Sequence, residues 1–180
     1  MCILSFIYFL KRLLTENSLH TNQKQFSDNE LSKISHFIYE EFCKEKCWIK
    51  YQDCDSLLND LKSNGYKLGV ISNFDERLFK ILTELKIIHY FDFICIPSNS
   101  EGYAKPCQEI FTKALNLSGI KSSSFMMHVG DDYELDFQAA TNLGFRSMLV
   151  NHENKNKPYY NSENSAKSLY DLKNHIIRNF

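Results

Sequence analysis

Residues 128–136 read His128-Val129-Gly130-Asp131-Asp132-Tyr133-Glu134-Leu135-Asp136. Phe125, Met126, Met127 and Val129 lead into the glycine, two adjacent aspartates follow it, and Asp136 comes shortly after. A short buried strand that ends in Gly-Asp-Asp and runs into a helix sets carboxylates at the carboxyl edge of a sheet. Open α/β sheets place their ligands there. Crowded carboxylates repel one another, so a cation is their natural resident. Mg²⁺ takes one or two carboxylates together with water and phosphate oxygens. The same letters also describe a helix amino terminus, with Asp131 or Asp132 as the cap and the other aspartate favoured by the helix dipole. Alone, the stretch divides evenly between the two readings, and its surroundings decide.

Outward from this stretch, apolar runs of strand length alternate with helical patterns. Lys67–Ser72 is the first run, Phe91–Ile96 the second, Phe125–Val129 the third and Arg146–Val150 the fourth. Helices are predicted over Asp53–Ser63, Glu76–Lys86 (with Asp75 as cap), Cys107–Leu117, Glu134–Leu143 and Ala166–Ile177. Nearly uniform apolar strands separated by helices predict an α/β fold with a parallel sheet buried on both faces. The front of the chain is helical in pattern. Ser27 and Glu30 form a capping box, and Leu31, Ile34, Phe37, Ile38 and Phe42 recur at helical spacing. Ile3–Thr15 reads as a helix, with a strand over Cys2–Leu10 as the competing reading; residues 16–27 read as loop.

Composition narrows the function classes. The 21 Lys and Arg nearly balance the 22 Asp and Glu, so no basic excess points to nucleic acid. The run Cys2–Leu10 is too short to span a bilayer and lacks the flanks of a secretory leader. No membrane association and a cytoplasmic location are expected. The cysteines form no C-x-x-C pair. Cys43 and Cys47 share a helical spacing near His36 and Cys54, but reduced thiols are expected rather than a zinc site.

Parallel connections bring the carboxyl ends of the strands to one edge. Ser72, Asn73, Lys105, Asp131 and Asp132 should therefore converge. A hydroxyl and an ammonium suit phosphate oxygens, and carboxylates suit the metal that neutralises them. The motifs Gly69-Val70-Ile71-Ser72-Asn73, Lys105-Pro106 and His128–Asp136 resemble, in order and placement, the second, third and fourth motifs of the haloacid dehalogenase-like hydrolase superfamily. That resemblance implies a Rossmann-like core over 51–180 behind a remnant helical cap over 1–50. It implies a Mg²⁺-dependent, phosphatase-type hydrolase acting on a small phosphorylated compound. Ser72, Asn73 and Lys105 would serve the phosphate, and Asp131, with Asp132 or Asp136, would serve the metal.

One departure matters. The family's first motif is an apolar strand followed by D-x-D-x-T or V, whose aspartates supply the nucleophile and the general acid/base. No such stretch precedes the helical front. Asp53-Cys54-Asp55-Ser56 follows Trp48-Ile49-Lys50-Tyr51-Gln52 and runs straight into a helical pattern, so it reads as an acidic helix start. No catalytic residue is assigned. A truncated, inactive enzyme is expected, with a non-catalytic phosphate- or metal-binding protein as the alternative. The missing strand would lie between 67–72 and 125–129. Either Cys2–Phe9 swings in as a substitute, or the flanking strands close on each other, or the chain folds poorly alone, since each unpaired buried backbone group costs about 1–3 kcal/mol.

Overall fold

A computed structural model describes residues 26–150, 160–161 and 163–179. The helix-or-strand choice over Ile3–Thr15, most of the loop 16–27 and the tail 151–159 lie outside the described residues. The helices are α1 (Asp28–Glu41), α2 (Cys54–Ser63), α3 (Arg77–Glu84), α4 (Gln108–Ser118), α5 (Ala139–Asn142) and α6 (Leu169–Asn179). The strands are β1 (Gly69–Ile71), β2 (Phe93–Cys95), β3 (Met127–Gly130), β4 (Arg146–Val150) and β5 (Ser165–Ala166). Among the described residues, no helix is long and apolar enough to cross a membrane. The chain divides into two compact units, one from Met1–Ile49 with Phe74–Lys86, the other from Lys50–Asn73 with Ile87–Phe180.

In the first unit, α1 begins at the capping box the sequence announces. The Glu30 amide donates to Ser27 Oγ at 3.3 Å, and the Ser27 amide donates to Glu30 Oε2 at 2.8 Å. Leu31 is buried, whereas Phe37 remains 63% exposed, so the apolar stripe is only partly core. The expected cap role of Asp75 gives way to another one. Glu76 holds the cap position of α3, and the buried Asp75 carboxylate instead grips Arg77. Arg77 Nε donates to it at 2.8 Å, Nη2 at 2.7 Å and the Arg77 amide at 3.1 Å. The guanidinium lies 4.4 Å from the Tyr39 ring centre, 5.2 Å from Phe74 and 5.5 Å from Phe42. A planar, weakly hydrated guanidinium stacks on rings more readily than a compact, strongly hydrated ammonium.

The second unit carries the parallel strands. In one sheet β1 pairs with β2, with Gly69 opposite Phe93 and Ile71 opposite Cys95. In the other, β3, β4 and β5 lie side by side and parallel. The expected α/β, Rossmann-like arrangement of parallel strands flanked by helices is the observed one. Cys95, Ile110, Phe111, Ala114 and Ala140 form one core cluster, all fully buried. Leu57, Leu61, Met148, Ala166, Leu172 and Ile176 form a second. The two-residue strand β5 is an addition that the residue pattern does not predict. Asp53-Cys54-Asp55-Ser56 opens α2, with Lys50 Nζ 2.7 Å from Asp55 Oδ2; it is the helix start its surroundings implied.

The flanking strands do not close on each other. β1 and β3 belong to different sheets, and neither pairs with the other. Between them lies a cavity of about 620 Å³, lined from both strands and by Leu61 and Ile176.

Candidate functional site

All the site residues belong to the second unit. β1 ends at Ile71 because the chain turns at Ser72-Asn73, and Ser72 continues the ladder by one bond, its amide donating to Cys95 O at 3.0 Å. Asn73 does not point its amide at a ligand position. Its Nδ2 donates to Lys105 O at 2.9 Å, and its Oδ1 accepts the Lys105 amide at 2.6 Å. This two-sided clasp fixes the Lys105 backbone from a residue far away in sequence. Asn73 therefore positions the lysine.

Lys105 in turn is seated by Asp136. Its ammonium bonds Asp136 Oδ1, which also meets His128 Nε2 at 2.9 Å. The other oxygen, Oδ2, accepts the Asp132 amide at 3.1 Å. Asp136 is 3% exposed. Burial pushes its carboxyl pKa up, but the hydrogen bonds from His128 and Lys105 outweigh burial and hold it down at about 2. Both carboxylate oxygens are thus engaged by protein groups, which fits a positioning role. The His128 ring is itself held edge-on to Phe111, with centres 5.2 Å apart.

Asp132 accepts the amides of Glu134 at 2.9 Å and Leu135 at 2.8 Å through Oδ1. It caps the π-helical turn Tyr133–Gln138 that replaces the expected regular helix start. The helix-cap reading of the opening stretch is therefore satisfied by Asp132. Asp131 is exposed, and its carbonyl accepts the Tyr160 hydroxyl at 2.8 Å. Among the described residues no group of three His, Cys, Asp or Glu side chains is arranged to hold a metal. The expected set Asp131, Asp132 and Asp136 is thus divided into one exposed carboxylate, one cap and one buried anchor. A Mg²⁺ ion bound through a single carboxylate, with water and phosphate oxygens completing its shell, is within the ordinary habits of that cation. Asp131 suits that mode.

His128 is the participant that residue patterns missed. Its signal was present: a lone polar side chain in an apolar strand, one residue pair before the glycine. Gly130 has a geometric reason of its own. A Cβ built there would lie 2.2 Å from Asp136 Cγ and Oδ2. Gly130→Ala should push the Asp136 carboxylate from its seat and cost about 1–3 kcal/mol, read as a lower urea midpoint. An unchanged midpoint would mean that Asp136 is not packed against residue 130.

The site thus joins the ends of β1 and β3 through one hydrogen-bonded series, Asn73 to Lys105 to Asp136 to His128. A single ammonium is held by a buried carboxylate at the carboxyl edge of these strands. Residues 7–150 match the family model described as haloacid dehalogenase-like hydrolase. Haloacid dehalogenase-like hydrolase domain-containing protein 3 of Danio rerio is 35% identical over 144 residues, which is 79% of this chain and 59% of that protein. The chain spans about half the length of the curated relatives it matches. Among solved structures, a HAD phosphatase from Thermococcus onnurineus superimposes with a TM-score of 0.71 at 21% identity, covering 92% of this chain and 78% of that one. The HAD-hydrolase YfnB from Bacillus subtilis, bound to magnesium, gives a TM-score of 0.71 at 19% identity, covering 96% and 70%. With the three motifs in order, the parallel strands and the family match over most of its length, this chain belongs to the haloacid dehalogenase-like hydrolases.

Proposed function

We propose that this chain binds the phosphate group of a small phosphorylated compound at the carboxyl edge of β1 and β3. Ser72 and Lys105 serve as its donors. The observation that supports this reading is the seating of Lys105. A buried carboxylate and a backbone clasp hold one ammonium in place, and a preorganised point charge suits a phosphate oxygen. Three carboxylates, Asp131, Asp132 and Asp136, stand against this one ammonium, so a phosphate dianion needs further positive charge. Mg²⁺ at Asp131 supplies that charge when bound. The magnesium reported for the Bacillus subtilis neighbour supports this choice.

Turnover is a separate matter. Phosphoryl transfer through an aspartyl-phosphate needs a carboxylate nucleophile in line with the phosphate. The D-x-D-x-T or V motif is not in the 180 residues, and the nearest letters, at Asp53 and Asp55, open α2. This chain alone is therefore proposed to bind phosphate without hydrolysing its esters, because loss of a covalent nucleophile typically costs several powers of ten in rate. With p-nitrophenyl phosphate and Mg²⁺, release should stay at the level of the enzyme-free blank. Mg²⁺-dependent release that Asp131→Ala abolishes would replace the binding reading with that of an active phosphatase.

A further inference from the structure

We propose that Tyr160 is a positioning residue for a divalent cation at Asp131, because its hydroxyl fixes the backbone that carries this carboxylate. The inference rests on the reading of Asp131 as the Mg²⁺ ligand given above. The Tyr160 hydroxyl donates to Asp131 O at 2.8 Å. The amide on the other side of the same peptide bond, that of Asp132, donates to Asp136 Oδ2 at 3.1 Å. One peptide group is thus held at both ends by side chains from separate parts of the chain. A peptide group is planar, so the backbone turns only at the dihedrals on either side of it. Holding the plane therefore sets ψ of Asp131 and φ of Asp132. The Asp132 side chain adds a further hold through the amides of Glu134 and Leu135.

Strand register explains how Tyr160 reaches this loop. Gly130 lies opposite Leu149, and Leu149 lies opposite Ser165, so β3, β4 and the start of β5 are level at the carboxyl edge. The chain just after Tyr160 is held in turn. Asn161 Oδ1 accepts the amides of Glu163 at 2.9 Å and Asn164 at 3.0 Å. The Ser165 amide donates to Asn161 O at 3.0 Å, and the Leu149 amide donates to Asn164 O at 2.8 Å. The tyrosine therefore stands on a turn tied to the sheet. An exposed carboxylate whose backbone is already set has less freedom to lose when it meets a cation. Groups that orient a metal ligand from behind change metal affinity without touching the metal. A simple brace between the β5 turn and the β3 loop would use the same hydrogen bond, but it would alter stability and leave cation affinity alone.

Mg²⁺ titration of the full-length, ¹⁵N-labelled chain, read at the amides of Asp131 and Asp132 without phosphate, separates the two roles. In Tyr160→Phe, which removes only the hydroxyl, the Mg²⁺ dissociation constant should rise by about threefold to tenfold. A smaller rise would overturn the proposal, whether or not the urea midpoint falls. Asp131→Asn distinguishes this failure from failure of the reading beneath it. That variant should lose the saturable shifts; if it binds Mg²⁺ as the wild type does, Asp131 is not the ligand and the role of Tyr160 falls with it. Should Tyr160→Phe not fold, the wild type decides. Its Tyr160 ring signals should move with the same Mg²⁺ midpoint as the Asp131 amide, and ring signals unmoved at saturation would overturn the proposal.

Discussion

Asp136→Ala should destabilise the second unit by about 3–5 kcal/mol, the usual cost of removing one partner from a buried charge pair. The loss is large because Asp136 serves three donors at once: the Lys105 ammonium, His128 Nε2 and the Asp132 amide. Removing it strands a lysine whose side chain is only 13% exposed. Asp136→Asn should recover part of the loss, since an amide oxygen still accepts one of these bonds but carries no charge. The same carboxylate sets a pH dependence with a definite sign. Its folded pKa is depressed, from an ordinary 3.8 to about 2. Its contribution, on the order of 2 kcal/mol, is therefore fully present above about pH 4. It is lost as pH falls from there through about 2. Urea midpoints of wild type and Asp136→Asn, measured between neutral pH and pH 2, should converge at the acid end. Parallel curves would mean that Asp136 is not held as a charged anchor.

The second large effect lies in the other unit. Asp75→Ala should cost about 3–5 kcal/mol, because it leaves the Arg77 guanidinium buried among Tyr39, Phe42 and Phe74 without its carboxylate. Burial pushes the Asp75 carboxyl up, but the hydrogen bonds and charge of Arg77 bring its pKa below the ordinary value, so this pair too weakens in acid. The paired change Asp75→Leu with Arg77→Met removes both charges and keeps apolar bulk. It should lose far less than Asp75→Ala, since buried pairs replaced by apolar groups of similar volume are often neutral. Thermal unfolding of the wild type, the single variant and the double variant decides it. A double variant as damaged as the single one would show that the rings need the guanidinium itself.

Which of these features can be read from residues alone follows from physics. The four longer strands are legible because short apolar runs set between helical patterns suit a parallel sheet, and Met148-Leu149 in β4 is such a run, buried as expected, whereas Gly69-Val70-Ile71 forms its strand while staying only partly buried. The start of α1 is legible because Ser27 and Glu30 satisfy each other locally. β5 is not, since two residues carry no period. Asp75 misleads because an aspartate before a helix looks the same whether it caps the helix or grips Arg77; only the packing of Tyr39 and the phenylalanines distinguishes the two. Asp132 and Asp136 pose the same difficulty. In sequence both are acids beside Gly130, and three acids suggest a metal. In space Asp132 faces two amides and Asp136 faces a lysine and a histidine, partners contributed by separate elements. Convergence of Lys105 with the Gly-Asp-Asp stretch follows from the parallel topology, whereas the clasp by Asn73 needs coordinates.

Titration of the full-length, ¹⁵N-labelled chain with inorganic phosphate in the presence of Mg²⁺ decides whether the carboxyl edge of β1 and β3 is a phosphate site. Saturable shifts confined to the amides of Ser72, Asn73, Lys105 and Gly130–Asp132, lost in Lys105→Gln while that variant keeps its fold, are the predicted outcome. Saturable shifts elsewhere, or the same shifts persisting in Lys105→Gln, would contradict it.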